Sequence, residues 1–219
     1  MNSLHHLFLT ALFLSSNVFA ADWPTWGGDA TRNMVSLETG LDFDFEPGEM
    51  NDDESVKMET TKNIKWVAKL GSQAYGNVTI ANGRVFAGTN NESPRDDGKK
   101  GDRGVVMCFN EKRGDLEWQL VIPKLGAGKV SDWEYIGVCS SPAIEGNRVY
   151  VVTNKCEVVC LDIEGFKNGN DGPFMDEANY VKPKGTQDKL NEKFDADIIW
   201  MYDMRDQLGV FPHLSLIHI

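Results

Sequence analysis

Alternation of apolar and polar residues with a period of two dominates the middle of the chain, and it predicts short strands rather than helices. The clearest run is CSSPAIEGNRVYVVTNKCEVVCLD, which starts at Cys139 and ends at Asp162. It reads as a strand over 141–145, a Gly146-Asn147 turn, a second strand over 148–153 and a third over 157–162. Val149, Tyr150, Val151 and Val152 are β-branched or aromatic, and Gly-Asn between two such runs is a hairpin signal.

The same pattern occurs earlier, as NVTIANGRVFAGTN over 77–90. Laid on 141–154, it matches Ile80 with Ile144, Arg84 with Arg148, Val85 with Val149, Phe86 with Tyr150, Thr89 with Thr153 and Asn90 with Asn154. A third strand follows in both copies, VVMCFN and EVVCLD, with Cys108 and Cys160 in register. A fourth follows again: LEWQLVI with Trp118, and, after a long delay, IIWMYD with Trp200. A free-standing version, IKWVAKL with Trp66, precedes the first copy at 64–70. The chain therefore carries an internal repeat. Four antiparallel strands in order, the last bearing a Trp, describe one blade of a propeller. The expected fold is all-β: an incomplete β-propeller of four-stranded antiparallel blades, about two blades plus one isolated outer strand. Two unrelated meanders in a β-sandwich are the plainer alternative.

The stretch FNEKRGDLEW, a third strand followed by a Gly turn and a Trp, resembles the pyrroloquinoline-quinone (PQQ) repeat. That repeat builds quinoprotein alcohol and sugar dehydrogenases. It also builds the lipoprotein of the outer-membrane barrel assembly machinery, which has the blades without the cofactor. DWPTWGGD over 22–29, with Arg32 and Ser36 after it, is similar to the start of mature quinoprotein dehydrogenases. The resemblance covers 22 to about 211. It implies that Trp66, Trp118 and Trp200 pack between blades. It also implies two functions: a non-catalytic scaffold that binds proteins, or a dehydrogenase using PQQ and Ca²⁺ in the full-length protein. The adjacent cysteine pair of many quinoprotein alcohol dehydrogenases is missing here. No catalytic residue is assigned by the resemblance, and Trp133, the one other Trp of the propeller portion, is the candidate cofactor platform.

Outside the repeat, residues 1–20 read as a secretory signal, with an apolar run from Leu7 to Leu14 and a Val18-Phe19-Ala20 cleavage site. This places the mature chain in the periplasm or outside the cell, with no transmembrane segment of its own. Residues 21–63 form an extended, acidic N-terminal segment, and 64–211 the partial propeller with insertions at 91–104, 122–139 and 163–197. The insertion at 91–104 mixes both charges with Gly and Pro and reads as a mobile excursion. In a four-stranded meander, successive turns alternate between two ends, so 71–76, 91–104 and 122–139 are expected at one end and 163–197, a surface loop, at the other. The tail 214–219, LSLIHI, reads as non-native, and the chain as a C-terminally truncated fragment.

The formal charge of −11 argues against nucleic acid as a partner, because phosphates need cations to neutralise them. Of the four histidines, His5 and His6 fall in the signal and His213 and His218 at the end, leaving little for His-dependent catalysis. No phosphate loop occurs. The stretch NGNDGPFMDE over 168–177 resembles a calcium loop in composition, yet it fails the helix-loop-helix spacing, since Gly172 at the sixth place puts Lys167 first and Ala178 twelfth. No metal ligand is therefore assigned. Cys156 and Cys160 are not at a zinc spacing. Cys108 and Cys160 occupy equivalent strands of neighbouring blades, about 10 Å apart, too far for a bridge. Cys139 and Cys156 are the one plausible pair.

Overall fold

The computed structural model describes residues 21–128, 132–183, 186 and 189–212. The signal at 1–20 and the tail at 214–219 lie outside them. Among the described residues, eight strands form two four-stranded antiparallel sheets, each a simple meander. The first holds β1 (Thr79–Ala81), β2 (Arg84–Asn90), β3 (Arg103–Asn110) and β4 (Leu116–Pro123). The second holds β5 (Ala143–Glu145), β6 (Arg148–Val152), β7 (Glu157–Asp162) and β8 (Ile198–Asp203). The only α-helices among the described residues are two single turns, α1 (Glu177–Tyr180) and α2 (Met204–Leu208). The all-β expectation holds.

Local chemistry explains most of these elements. Asn82 and Gly83 both take positive φ, +53° and +72°, as a two-residue hairpin turn demands. β5 starts later than the sequence pattern suggests, because Pro142 has no N–H and the Ser140 hydroxyl takes over the pairing. Its Oγ donates to Val152 O at 2.7 Å and accepts from Val152 N at 3.1 Å. The repeat is visible in register: Cys108 pairs with Trp118 and Cys160 with Trp200, and in both sheets the ladder slips directly after the cysteine.

The sheets stack head to tail rather than face to face. Phe86, Val106, Cys108, Trp118 and Leu120 point from the first sheet into a core completed by Val149, Val151, Val159 and Leu161 of the second. The equivalents of the first group, Tyr150, Val158, Cys160, Trp200 and Tyr202, lie on the far side of the second sheet, where Trp200 is 37 % exposed. The far side of the first sheet carries Val105, Met107, Phe109 and Val121, and residues 64–70 lie across it. That segment alternates strictly, Ile64, Trp66, Ala68 and Leu70 half-buried and Lys65, Val67 and Lys69 exposed, yet it joins no ladder. The isolated outer strand expected here is therefore not formed: the segment keeps the alternating pattern and packs on the sheet, but without ladder bonds it is no β-strand.

Two tryptophans link the layers identically. Trp118 Nε1 donates to Ile163 O at 2.9 Å, and Trp66 Nε1 donates to Glu111 O at 2.7 Å, the acceptor lying 45 residues on in both cases. Each acceptor directly follows the third strand of the receiving sheet. Each ring also covers a glycine with no room for a side chain: a Cβ at Gly165 would meet the Trp118 ring at 3.0 Å, and one at Gly114 the Trp66 ring at 2.6 Å. At the N-terminus, Trp23 bridges to Ile80 and Pro24 O accepts from Ile144 N at 2.8 Å, tying the inner edges of both sheets together.

The insertion 163–197 departs from expectation. It is not a surface loop confined to one end. Glu177, Tyr180, Val181 and the stretch 195–197 are buried. Tyr180 Oη donates to Glu157 Oε2 at 2.7 Å, at the opposite end of β7 from where the insertion leaves the sheet. On its return it runs beside β4, where Gln119 N donates to Phe194 O and Ala196 N to Gln119 O, both at 2.8 Å. The segment thereby pairs along the open edge of the first sheet, which supplies the unpaired backbone groups that hold it. The 91–104 insertion is anchored by the same segment. Lys99, 1 % exposed, reaches Asp195 Oδ2 at 2.7 Å and Asp96 Oδ2 at 2.8 Å, so this segment is pinned rather than a free excursion.

Candidate functional site

Loops 71–76, 91–104 and 122–139 meet at one end of the first sheet. Asn90, at the end of β2, is their hub: its Nδ2 donates to Ser72 Oγ at 2.9 Å and to Tyr135 O at 2.5 Å, and its Oδ1 accepts from Ser72 N at 3.1 Å. Tyr135 N in turn donates to Asp102 Oδ2 at 2.9 Å. Lys124, just past β4, supplies the positive charge. Its Nζ lies 2.6 Å from Asp132 Oδ1 and 3.6 Å from Asp102 Oδ2, and donates to Trp133 O at 2.5 Å.

Trp133 is 48 % exposed and Tyr135 is exposed too, so this end offers two aromatic surfaces beside a lysine held by two aspartates. The sequence reading singled out Trp133 alone. Asn90 carried a signal, since it repeats as Asn154, whose Nδ2 donates to Pro123 O at 3.1 Å. Lys124 and Asp102 carried none. The thiols near this end are free, Cys139 and Cys156 included, so the expected pair is not a bridge in this structure. Burial pushes the Cys139 thiol up to about 11, with Lys124 pulling the other way, which makes it a poor nucleophile at neutral pH. Cys108 and Cys160 are separated by the second sheet, since Cys108 faces into the inter-sheet core and Cys160 shares the outer face with Trp200.

The opposite end holds two ionic groups. Between the sheets, Arg84 bridges Glu117 and Glu164, at 3.1 and 2.7 Å, while Glu117 also binds Lys167 at 2.9 Å and accepts from Asn110 at 3.0 Å. Burial works to raise the Glu117 carboxyl, but the bonds from Asn110 and Lys167 and the charge of Arg84 outweigh it and bring it down to about 2. Its ionised form thus favours folding above the ordinary value of 4.5, and that contribution disappears as the pH falls to 2. Glu117→Gln is expected to cost about 1–2 kcal/mol at pH 7, discounted for the water that reaches its partners. Urea midpoints of the two proteins should hold their gap down to about pH 4.5 and draw together as the pH falls towards 2; a gap that ignores pH would mean that Glu117 acts by packing alone.

Where the 168–177 loop meets the second sheet, its own Asp171 and Glu177 act by charge on Asp197 together with Asp162. Asp162 is answered by Arg148 at 2.7 Å. Asp197 accepts from Asp171 N at 2.9 Å, and Glu177 from Asn170 Nδ2 at 3.1 Å. Burial, then the charges of Glu177, Asp162 and Asp171, push the Asp197 carboxyl up to about 6 against the pull of the Asp171 amide. Among the described residues no three His, Cys, Asp or Glu side chains gather as a ready metal cage, and no helix is long and apolar enough to cross a membrane. No protein-family model and no curated protein matches this chain.

Proposed function

We propose that this chain is an exported β-propeller of PQQ-like repeats that acts as a non-catalytic scaffold, binding other proteins through its loop end. The observation that carries the reading is the repeated tryptophan contact. The half-buried segment 64–70, the first sheet and the second sheet follow one another with the same indole-to-carbonyl bond and the same ring-over-glycine packing. Such head-to-tail contacts close into a ring when the rotation allows, and radial repetition of four-stranded sheets is a propeller.

The dehydrogenase alternative needs an aromatic platform and a Ca²⁺ bound by carboxylates beside it. The residues around Trp133 do not fit that group. The ammonium of Lys124 already sits against Asp132 and within 3.6 Å of Asp102, where a divalent cation would be repelled. Backbone amides of Gly126 and Tyr135 take further acceptor positions on the same carboxylates. What remains is an exposed Trp-Tyr surface with a polar rim, the composition of a protein-binding patch.

Two measurements test the proposal. Incubation with PQQ, Ca²⁺, a dye acceptor and a panel of alcohols and sugars is expected to give no turnover; quinone-dependent turnover would overturn the scaffold reading. The outer face of the second sheet, with Val152, Trp200 and Tyr202 exposed, is where a repeat array would continue. The 219-residue chain is therefore expected to associate as its concentration rises, and Trp200→Ser with Tyr202→Ser to suppress this. A monodisperse monomer at every concentration would count against the array.

A further inference from the structure

The acidic group under the 168–177 loop has no part in the proposed scaffold role, and two of its atoms lack any account. Glu177 Oε1 and Asp197 Oδ1 are buried and accept no hydrogen bond, and their residues are 1 % and 0 % exposed. Buried acceptors are nearly always satisfied, and buried carboxylates are paired or bind metal. Each has one oxygen fixed, Glu177 by Asn170 and Asp197 by the Asp171 amide, leaving the other available. The neighbouring Asp162 already has its cation in Arg148, and among the described residues no lysine or arginine pairs with Glu177 or Asp197.

We propose that Glu177 and Asp197 form a Ca²⁺ site, with Oε1 and Oδ1 as its protein carboxylate ligands and the 168–177 loop as its cover. Ca²⁺ takes oxygen ligands in irregular numbers and geometry. Two carboxylate oxygens, with loop amide and water oxygens making up the rest, suit it better than Zn²⁺, which favours nitrogen and sulfur. Mg²⁺ demands a near-ideal octahedron and surrenders its waters reluctantly. The placement of the cover follows from packing. Gly172 lies so close to β8 that a Cβ would meet Ile199 O at 2.5 Å, and Phe174 N donates to that same carbonyl at 3.2 Å. The loop is thus held over Asp197, two residues before Ile199 in the chain. A bound ion would fasten the middle of the insertion, through Glu177, to its last residue, Asp197, directly before β8.

Equilibrium dialysis of the chelator-treated 219-residue chain against Ca²⁺ tests this. One ion per chain is expected, with a Ca²⁺-dependent rise in melting temperature that a tenfold excess of Mg²⁺ does not reproduce. E177Q and D197N keep the shapes and the bonds from Asn170 and Asp171, and each should weaken binding at least tenfold. D42N with D44N, in the exposed acidic segment, should leave it unchanged. Binding that survives both E177Q and D197N would overturn the site. So would a chain that binds no Ca²⁺ and gains stability in D197N, since the two oxygens would then share a proton. If either variant fails to fold, the unsubstituted chain still decides: no Ca²⁺-dependent rise in its melting temperature rejects the proposal. None of these outcomes depends on the quinone assay.

Discussion

Trp118→Ala should be the most damaging single substitution in the chain, lowering stability by about 3–5 kcal/mol and the melting temperature by roughly 6–20 °C. Trp118 is the largest fully buried side chain, and it fills the contact between the two sheets. Its loss opens a cavity beside Phe86, whose ring lies 6.0 Å away, and leaves Ile163 O without its donor. Trp118→Phe separates the two effects. It keeps most of the ring and forfeits the bond, for about 1 kcal/mol plus a small packing loss. The same change at the other two tryptophans ranks the contacts. Trp66→Ala removes a half-buried ring from a segment without ladder partners, and should cost about 1–2 kcal/mol. Trp200→Ala removes a partly exposed ring that lies beside Tyr150 on the outer face, and should cost less than Trp118→Ala in a monomer. Thermal melts at low protein concentration measure this order. Equal losses at positions 118 and 200 would show that the second sheet's outer face is covered, and would end the open-array reading.

Lys99→Met should come next, at about 3–5 kcal/mol, because it leaves Asp195 charged in a fully buried place. Burial already raises the Asp195 carboxyl above its ordinary range despite the bond and charge of Lys99. Asp195→Asn in the same chain removes the stranded charge and keeps an acceptor for Asn191 N, now at 2.6 Å from Oδ2. The double substitution should recover most of the loss, since neutral groups need no counter-ion there. Urea unfolding of the two single variants and the double one gives the coupling. Additive losses would mean that Lys99 holds the 91–104 insertion through Asp96 and its own stem rather than through Asp195. A strong coupling would establish that two insertions 96 residues apart are fastened by one pair of charges.

The strands were legible because their causes are local. Alternation around Val149 and Val159, the Asn82-Gly83 and Gly146-Asn147 turns, and the doubled Cys and Trp positions each reflect chemistry acting within a few residues. β3 and β4 extend slightly beyond the predicted ranges, and β7 and β8 match them. That the tryptophans pack between sheets was only implied by the resemblance to the PQQ repeat; the indole-to-carbonyl bonds and the glycines under the rings of Trp66 and Trp118 belong to the tertiary structure, and Trp200 is left partly exposed. Even 64–70 declared its alternation, although pairing is a property of neighbours and the segment joins no ladder among the described residues.

What the sequence did not reveal is what joins residues far apart without a period. Nothing in DDGKKGD marks Lys99 as buried, because a lysine is normally solvated and becomes an interior residue only when a carboxylate arrives from elsewhere. Nothing marks Lys124 as the partner of Asp102 and Asp132, or Glu177 and Asp197 as two buried carboxylates with an oxygen each to spare. The course of 163–197 is the clearest case. Its Gly, Asn and Asp content describes a loop, but the open edge of β4 and the gap beside Glu157 decide where it runs. Local sequence determined the strands, their turns and their order within each sheet. Tertiary structure alone decided where the charges went, because the free energy of a buried ion depends on its surroundings and not on its neighbours in the chain.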